Sequence, residues 1–407
     1  MIYQATTRVA EAALRLRAAL GGSAALRERL VAGDAPASAA IWVHGASVGE
    51  LTSARPVIEA LAERASILVT ANSETGRDMA RGWGLPARLA PLDLPGALDR
   101  FLAAAHPRVL VTVESEFWPL RSRYLGQRGI AHAMIGARMS ERSAATWGRL
   151  PRIIRPMLGR IAALSAQDQA SEARLLALGL PARALMPRLD LKLLQPARLV
   201  PPPASAARDG TILAASTHPG EDELILDAFA QLRRQRPGLR LILAPRHPAR
   251  ADAVAALIAA RGLPMLRRSD SWAEAPDGGV LLADTLGEMA RWYAAAGICL
   301  IGGSLADHGG HTPWEPAGMA CALLHGPNVS NFTESFEALH DRNAALAVGP
   351  EDLATAIARL LDDPALARRM GEAARALLSA RAGDPAALIG RIADLASLGP
   401  DADMKGM

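Results

Sequence analysis

At 407 residues the chain is longer than one comfortable core, so two domains are the default. Half of its residues are hydrophobic and 21% are charged, a globular composition that excludes a disordered chain. The net charge of +4, in which arginine far outweighs lysine, suits an anionic ligand or membrane surface; no zinc spacing, aromatic RNA-binding run or dense basic helix speaks for nucleic acid.

Near the start, Val9, Ala12, Ala13, Leu16, Ala19 and Leu20 fall at helical spacing among Arg8, Glu11, Arg15 and Arg17. Two readings fit: a helix packed on its own domain, or one lying on an anionic membrane with arginines at the headgroups. Residues 1–20 lack the apolar core and cleavage site of a secretory signal. No run reaches the roughly 18 apolar residues of a membrane span.

Strands are expected at 40–43, 67–70, 88–91, 109–113, 130–135 and 161–165, with helices near 51–61, 74–83, 94–104, 119–127, 150–159 and 169–178. Short turns between alternating strands and helices imply an α/β fold whose parallel sheet is covered on both faces. The one proline cluster, Gln195 to Ser205, reads as an extended linker. The second half repeats the alternation, with strands at 211–215, 239–244, 280–283, 298–301 and 321–324. Cys299 and Cys321 lie inside two of these apolar runs and read as packing residues. The expected organisation is an amphipathic segment at 1–38, a Rossmann-like domain at 39–194, a linker at 195–209, a second Rossmann-like domain at 210–384, and a C-terminal helix and tail at 385–407.

Chemistry concentrates where strands end. In His44-Gly45-Ala46-Ser47-Val48-Gly49-Glu50, Glu50 falls in the first turn of a helix, where the macrodipole favours its ionised form. It is either a general base or an ordinary helix-start acid. Glu114 and Glu116 follow a buried strand, and one of the two is expected to face a ligand. Arg246, after Pro245, can clamp a phosphate or be a surface arginine at a turn. The stretch Asp284 to Glu288 opens a helix whose N–H groups suit a phosphate, and Glu288 equally fits simple complementation of the dipole. The richest loop is Gly302 to Ala317, with Gly302-Gly303 and Gly309-Gly310 permitting close approach and Glu315 able to take two ribose hydroxyls. His308, His311 and Asp307 raise a metal site, but no further ligand of clear spacing joins them. His218 and His247 read as polar lining. A Gly-x-Gly-x-x-Gly signature is absent, and Ser47 in Gly45–Gly49 falls short of a nucleophile elbow.

Taken in order, residues 41–50, 114–119, 136–143, 214–223, 244–250, 284–293 and 302–317, with 326–328 and 331–334 beyond, resemble the 3-deoxy-D-manno-octulosonic acid (Kdo) transferases of lipopolysaccharide assembly. That resemblance implies a GT-B fold, two Rossmann-like domains with a deep interdomain cleft. It also implies an inverting, metal-independent glycosyltransferase without cofactors, which moves Kdo from CMP-Kdo to a lipid A precursor (lipid IVA). It places the protein at the cytoplasmic face of the cell inner membrane, bound peripherally to an anionic surface. Carried over by position, Glu50 is the general base, and Glu116 and Lys192 stabilise the transition state. Pro245, Arg246, Leu286, Gly287, Glu288, Thr312, Pro313, Trp314 and Glu315 bind CMP, the histidines lining that site without a metal. The chain departs from the family pattern in its alanine-rich amphipathic start, in Thr312 and Trp314 where the family has Asn and Leu, in Leu189-Asp190 before Leu191-Lys192, and in the loop Thr70 to Gly76. Two alternatives share the frame: a nucleotide-sugar epimerase, or a non-catalytic paralogue that binds CMP-sugar or lipid.

Overall fold

A computed structural model describes residues 2–271 and 274–397, and the expected tail beyond 397 lies outside the described residues. The chain divides into two compact units, one running to Leu194 and resuming at Ala382, the other spanning Gln195–Arg381.

The first unit is built on six strands: β1 (Ile41–His44), β2 (Ile67–Ala71), β3 (Ala87–Leu89), β4 (Val109–Val113), β5 (Ala131–Ala137) and β6 (Ile161–Ala166). All are parallel, in the order β3-β2-β1-β4-β5-β6. Their residues are nearly all buried, as apolar runs covered on both faces by helices must be. Polar residues enter at the carboxyl ends. His44 of β1 sits in register with Thr70 of β2 and Thr112 of β4, and all three are buried. The helices between strands start where a side chain can satisfy their free N–H groups: Ser47, Ser73 and Asp168 each cap one. The C-terminal helix Ala386–Ser397 belongs to this unit, where Arg108 donates to the carbonyls of Ala396 and Ser397.

The second unit carries seven parallel strands: β7 (Thr211–Thr217), β8 (Arg240–Pro245), β9 (Met265–Arg267), β10 (Val280–Leu282), β11 (Ile298–Ile301), β12 (Ala322–His325) and β13 (Ala345–Ala347). Their order is β13-β12-β11-β7-β8-β10-β9. Cys299 and Cys321 are buried and unbridged. The short edge strands β9 and β13 escape the sequence pattern because three residues carry too little periodicity. The proline-rich stretch is less extended than expected: it starts inside helix Leu191–Ala197 and ends at helix Ala206–Asp209.

The amphipathic start packs on its own unit through one face, as the first reading of its sequence expects. In helix Ile2–Ala19, Glu11 is buried and accepts hydrogen bonds from the Gly96 N–H at 2.7 Å and from Arg100 at 3.1 Å. Ala18 packs with Leu30, Leu94 and Ala97. The opposite stripe, Val9, Leu16 and Leu20, is 62–80% exposed.

Two helical glycines separate local propensity from packing. A Cβ on Gly390 would meet nothing within 4 Å, whereas one on Gly371 would lie 2.1 Å from the Ala320 carbonyl oxygen. Gly390→Ala should stabilise the fold by about 0.5–1 kcal/mol. Gly371→Ala should destabilise it by about 1–3 kcal/mol. Thermal denaturation of the two variants should move in opposite directions.

Candidate active site

Both sheets reverse strand order at their first strand. β1 lies between β2 and β4, and β7 lies between β8 and β11. Loops leaving the carboxyl ends of such strands part there, and open α/β sheets bind ligands in the crevice so formed.

In the first unit that crevice is lined by residues after β1 and β4. Trp42 donates its indole N–H to the Thr70 hydroxyl at 2.8 Å. Thr70 Oγ1 is 3.0 Å from Nδ1 of His44, and Nε2 of the same ring is 3.4 Å from the Glu116 carboxylate. A carboxylate only accepts, so His44 carries its proton on Nε2, and the Thr70 hydroxyl donates to Nδ1. Glu116 also accepts from the Trp118 indole at 2.6 Å and from the Asn72 amide at 3.4 Å. The hydrogen bond from His44, then that from Trp118, holds Glu116 down to about 2 against its burial. Burial pushes His44 down to about 4, so the ring is neutral and donates as a neutral group. Arg121 is buried beside them, its guanidinium over Trp42 at 5.2 Å and Trp118 at 5.6 Å. Asp93 fixes its backbone by accepting from the N–H groups of Leu120 and Arg121.

Glu50 meets a different environment. Its carboxylate accepts from the Ala46 N–H at 2.7 Å and the Ser47 hydroxyl at 3.2 Å, while Ser47 caps the Glu50 N–H. The residue is therefore a capping acid, close to a capping box. The expectation that the helix dipole keeps Glu50 readily ionised is corrected here: its pKa is raised, first by burial, then by Glu114 and Glu116, against the hydrogen bond from Ala46. Two neighbouring glutamates are thus driven apart, Glu116 toward permanent charge and Glu50 toward greater basicity. Glu114 also departs from extended strand geometry. It takes φ +56°, so the chain leaves the sheet immediately after Val113.

Lys192 stands in the first turn of helix Leu191–Ala197, exposed, with its backbone N–H donated to the Asp190 carboxylate at 3.1 Å. Lys192 and Lys405 are the only lysines in the sequence. In a chain that otherwise uses arginine for its cations, a compact ammonium here is a distinct choice of chemistry.

In the second unit the organising group is Glu221. It is buried, and its carboxylate accepts from four backbone N–H groups: His218 at 2.8 Å, Gly303 at 2.7 Å, Leu305 at 2.9 Å and Ala306 at 3.4 Å. It fastens the glycine-rich loop to the end of β7. Gly302 is needed for that close approach, since a Cβ there would lie 2.3 Å from the Ser216 carbonyl oxygen. The two glycines at 309 and 310 turn the loop at φ +75° and +72°. Sequence reasoning missed Glu221 as a loop anchor, because a glutamate at a helix start carries no sign of a tertiary partner 82 residues away.

The CMP-binding candidates follow three strand ends. Pro245 closes β8, and Arg246 is exposed, with its N–H on the Thr217 carbonyl at 3.0 Å. Its charge lowers the proton affinity of His311 in the glycine loop. Leu286 is exposed and Gly287 takes φ +82°. The helix expected to open at 284–288 instead begins at Met289. Glu288, preceding it, is bound by the Thr285 hydroxyl and by two nitrogens of Arg268 at 2.8 and 3.1 Å, both of which lower its pKa. In the glycine loop, Thr312 Oγ1 accepts from the Trp314 N–H at 3.4 Å, Pro313 and Trp314 are buried, and Glu315 is exposed in helix Trp314–Gly318. Burial raises Tyr293, and Glu315 adds to the shift. Among the described residues, no group of three or more His, Cys, Asp or Glu is arranged to hold a metal ion.

Comparison with known proteins adds independent information. The family model described as 3-Deoxy-D-manno-octulosonic-acid transferase (kdotransferase) matches residues 24–195. A 3-deoxy-D-manno-octulosonic acid transferase of Bordetella pertussis is 36% identical over 368 residues, covering 86% of each chain. One from Haemophilus influenzae is 32% identical over 355 residues, covering 83% of each. The solved UDP-GlcNAc 2-epimerase of Neisseria meningitidis bound to UDP-GlcNAc covers 87% of this chain and 97% of its own, with a TM-score of 0.53. At 11% identity that likeness concerns the fold alone.

The His44 relay carries a pH signature. A histidine held near 4 in the folded state binds a proton more readily when unfolded, so stability is lost as pH falls from about 6.5 toward 4. Melting temperatures measured across that window should fall steeply for the wild type. The slope should flatten in His44→Gln, which keeps a donor but does not titrate.

Proposed function

The chain belongs to the 3-deoxy-D-manno-octulosonic acid transferase family, a GT-B glycosyltransferase that moves Kdo in lipopolysaccharide synthesis; from that premise we propose that its donor is CMP-Kdo and its acceptor a hydroxyl of the lipid A precursor lipid IVA. The observation that carries the mechanism is the divergence of Glu50 and Glu116 at one strand-order reversal.

Glu50 is the general base. Raised by burial and by its neighbour Glu114, it is the better proton acceptor of the pair. It takes the acceptor hydroxyl's proton as the new carbon–oxygen bond forms and the bond to the CMP phosphate breaks. The electron pair of that bond leaves with CMP, and the anomeric centre inverts. Glu116 is too weakly basic to compete for the proton. Held by His44, Trp118 and Asn72, it places a fixed negative charge where positive charge grows on the sugar. Lys192 offsets charge on the departing phosphate. In the second unit Arg246 and the glycine loop hold the nucleotide, and Glu315 accepts from its ribose. The chemistry needs no metal, because arginine, lysine and backbone donors carry the phosphate charge.

Incubation of the protein with CMP-Kdo and a tetra-acylated lipid A precursor, followed by mass spectrometry, should give a product heavier by whole Kdo units. Glu50→Gln should lower turnover by about 10²–10⁴-fold with CMP binding unchanged. Full turnover in a folded variant would overturn the assignment of the base.

We also place the protein peripherally on the cytoplasmic face of the inner membrane. Among the described residues no helix is long and apolar enough to cross a membrane. The exposed stripe Val9, Leu16 and Leu20, flanked by exposed Arg8, Arg15 and Arg17, supports docking on anionic lipid. Leu16→Glu with Leu20→Glu should sharply reduce cosedimentation with vesicles rich in anionic lipid. Solution turnover on a detergent-dispersed acceptor should persist.

A further inference from the structure

Four histidines of the second unit take no part in the chemistry above, yet three loops gather them at the strand-order reversal. His218 follows β7, His247 follows β8, and His308 and His311 lie in the loop after β11. The His218 ring stacks on His308, with centroids 4.1 Å apart and planes 23° from parallel. It also lies over His311 at 5.2 Å and 15°, and edge-on to His247 at 6.2 Å. Gly303 makes room, since a Cβ there would already touch His218, His308 and His311 at 3.4 Å.

The Nε2 atoms of His218 and His311 are 3.0 Å apart. Two neutral imidazoles bond at that distance only when one carries its proton on Nε2 and the other on Nδ1. A proton therefore sits between two nitrogens, and one added proton converts the pair into a cation with donors on both rings. The charged and titratable groups acting on the pair are Glu221, Arg246, His247 and His308. Burial, then His308 and His311, holds His218 down to about 4; burial, then Arg246, lowers His311. Glu221 acts the other way on both rings, but its oxygens are already committed to backbone N–H groups. A ligand-free pair is thus neutral at physiological pH. An anion seated against it would supply the missing counter-charge and raise its proton affinity.

We propose that the His218–His311 pair, beside Arg246, is a proton-coupled seat for an anionic group of the donor, and that binding this group takes up one proton from solvent. The seat rests on the reading of the second unit as the donor unit. Its anion is either the nucleotide phosphate or the carboxylate of the acidic sugar, and the ligands distinguish them: CMP carries only the phosphate, Kdo only the carboxylate, and cytidine neither.

Titration calorimetry on the full chain, in buffers of different ionisation enthalpy between pH 6.5 and 8, reads the coupled proton directly. Because the CMP phosphate itself titrates near pH 6, the readout is the difference between wild type and His218→Gln or His311→Gln, each checked by thermal melting. For a phosphate seat, wild type takes up about one more proton per CMP than either variant. Its affinity weakens by up to about tenfold per pH unit relative to theirs. For a carboxylate seat, that difference is missing with CMP and present with Kdo added to the CMP complex. Cytidine shows no difference in either case. The seat is overturned if wild type and both variants bind CMP and Kdo with the same proton uptake and pH profile. If CMP binds no better than cytidine at any pH and Kdo does not bind, the donor reading of the second unit fails, and the seat with it.

Discussion

A parallel sheet sends every strand's carboxyl end to one edge, and reversing the strand order at one strand opens a gap there. Here the reversal falls on β1 in one unit and β7 in the other. The functional candidates follow from it. His44 ends β1, and Glu114 and Glu116 follow its neighbour β4. His218 follows β7, Arg246 follows β8, and the glycine-rich loop follows β11. Packing these apolar strands between helices fixes that edge before any side chain contributes chemistry.

The second constraint is that polar groups drawn into such an edge must be satisfied. The first unit meets it with a relay, Trp42 to Thr70 to His44 to Glu116, in which the carboxylate dictates the histidine tautomer. The second meets it with one buried carboxylate, Glu221, which takes three backbone N–H groups of the glycine-rich loop and one from His218 after β7. Both devices commit the oxygens of a carboxylate to fixed hydrogen-bond donors. Outside these two devices lie the groups proposed to react or bind: Glu50, half-buried at a helix start, and the His218–His311 pair.

Much of this was legible in the sequence. Apolar runs separated by helical periods gave the strands of both sheets to within a few residues, because burial on both faces leaves a strong signal. Glycine pairs marked the loop that must approach β7 closely, and the carboxylates at strand ends marked the first crevice. Short edge strands such as β13 were not legible. Nor was the break at Glu114, whose positive φ ends the strand at Val113.

The order of apolar and polar residues was enough to determine an α/β chain of two parallel-sheet units, and the ordered motifs were enough to identify the family. What the sequence could not decide was the state of its acids and imidazoles. Glu50, Glu116 and Glu288 are all glutamates near a helix start or strand end, yet burial raises the first, neutral donors lower the second, and Arg268 and Thr285 occupy the third. Some of the partners responsible are distant in sequence: His44 lies 72 residues from Glu116 and Arg268 lies 20 from Glu288. Proton affinity is set by desolvation and by charges across space, and only the tertiary structure determines which charges those are.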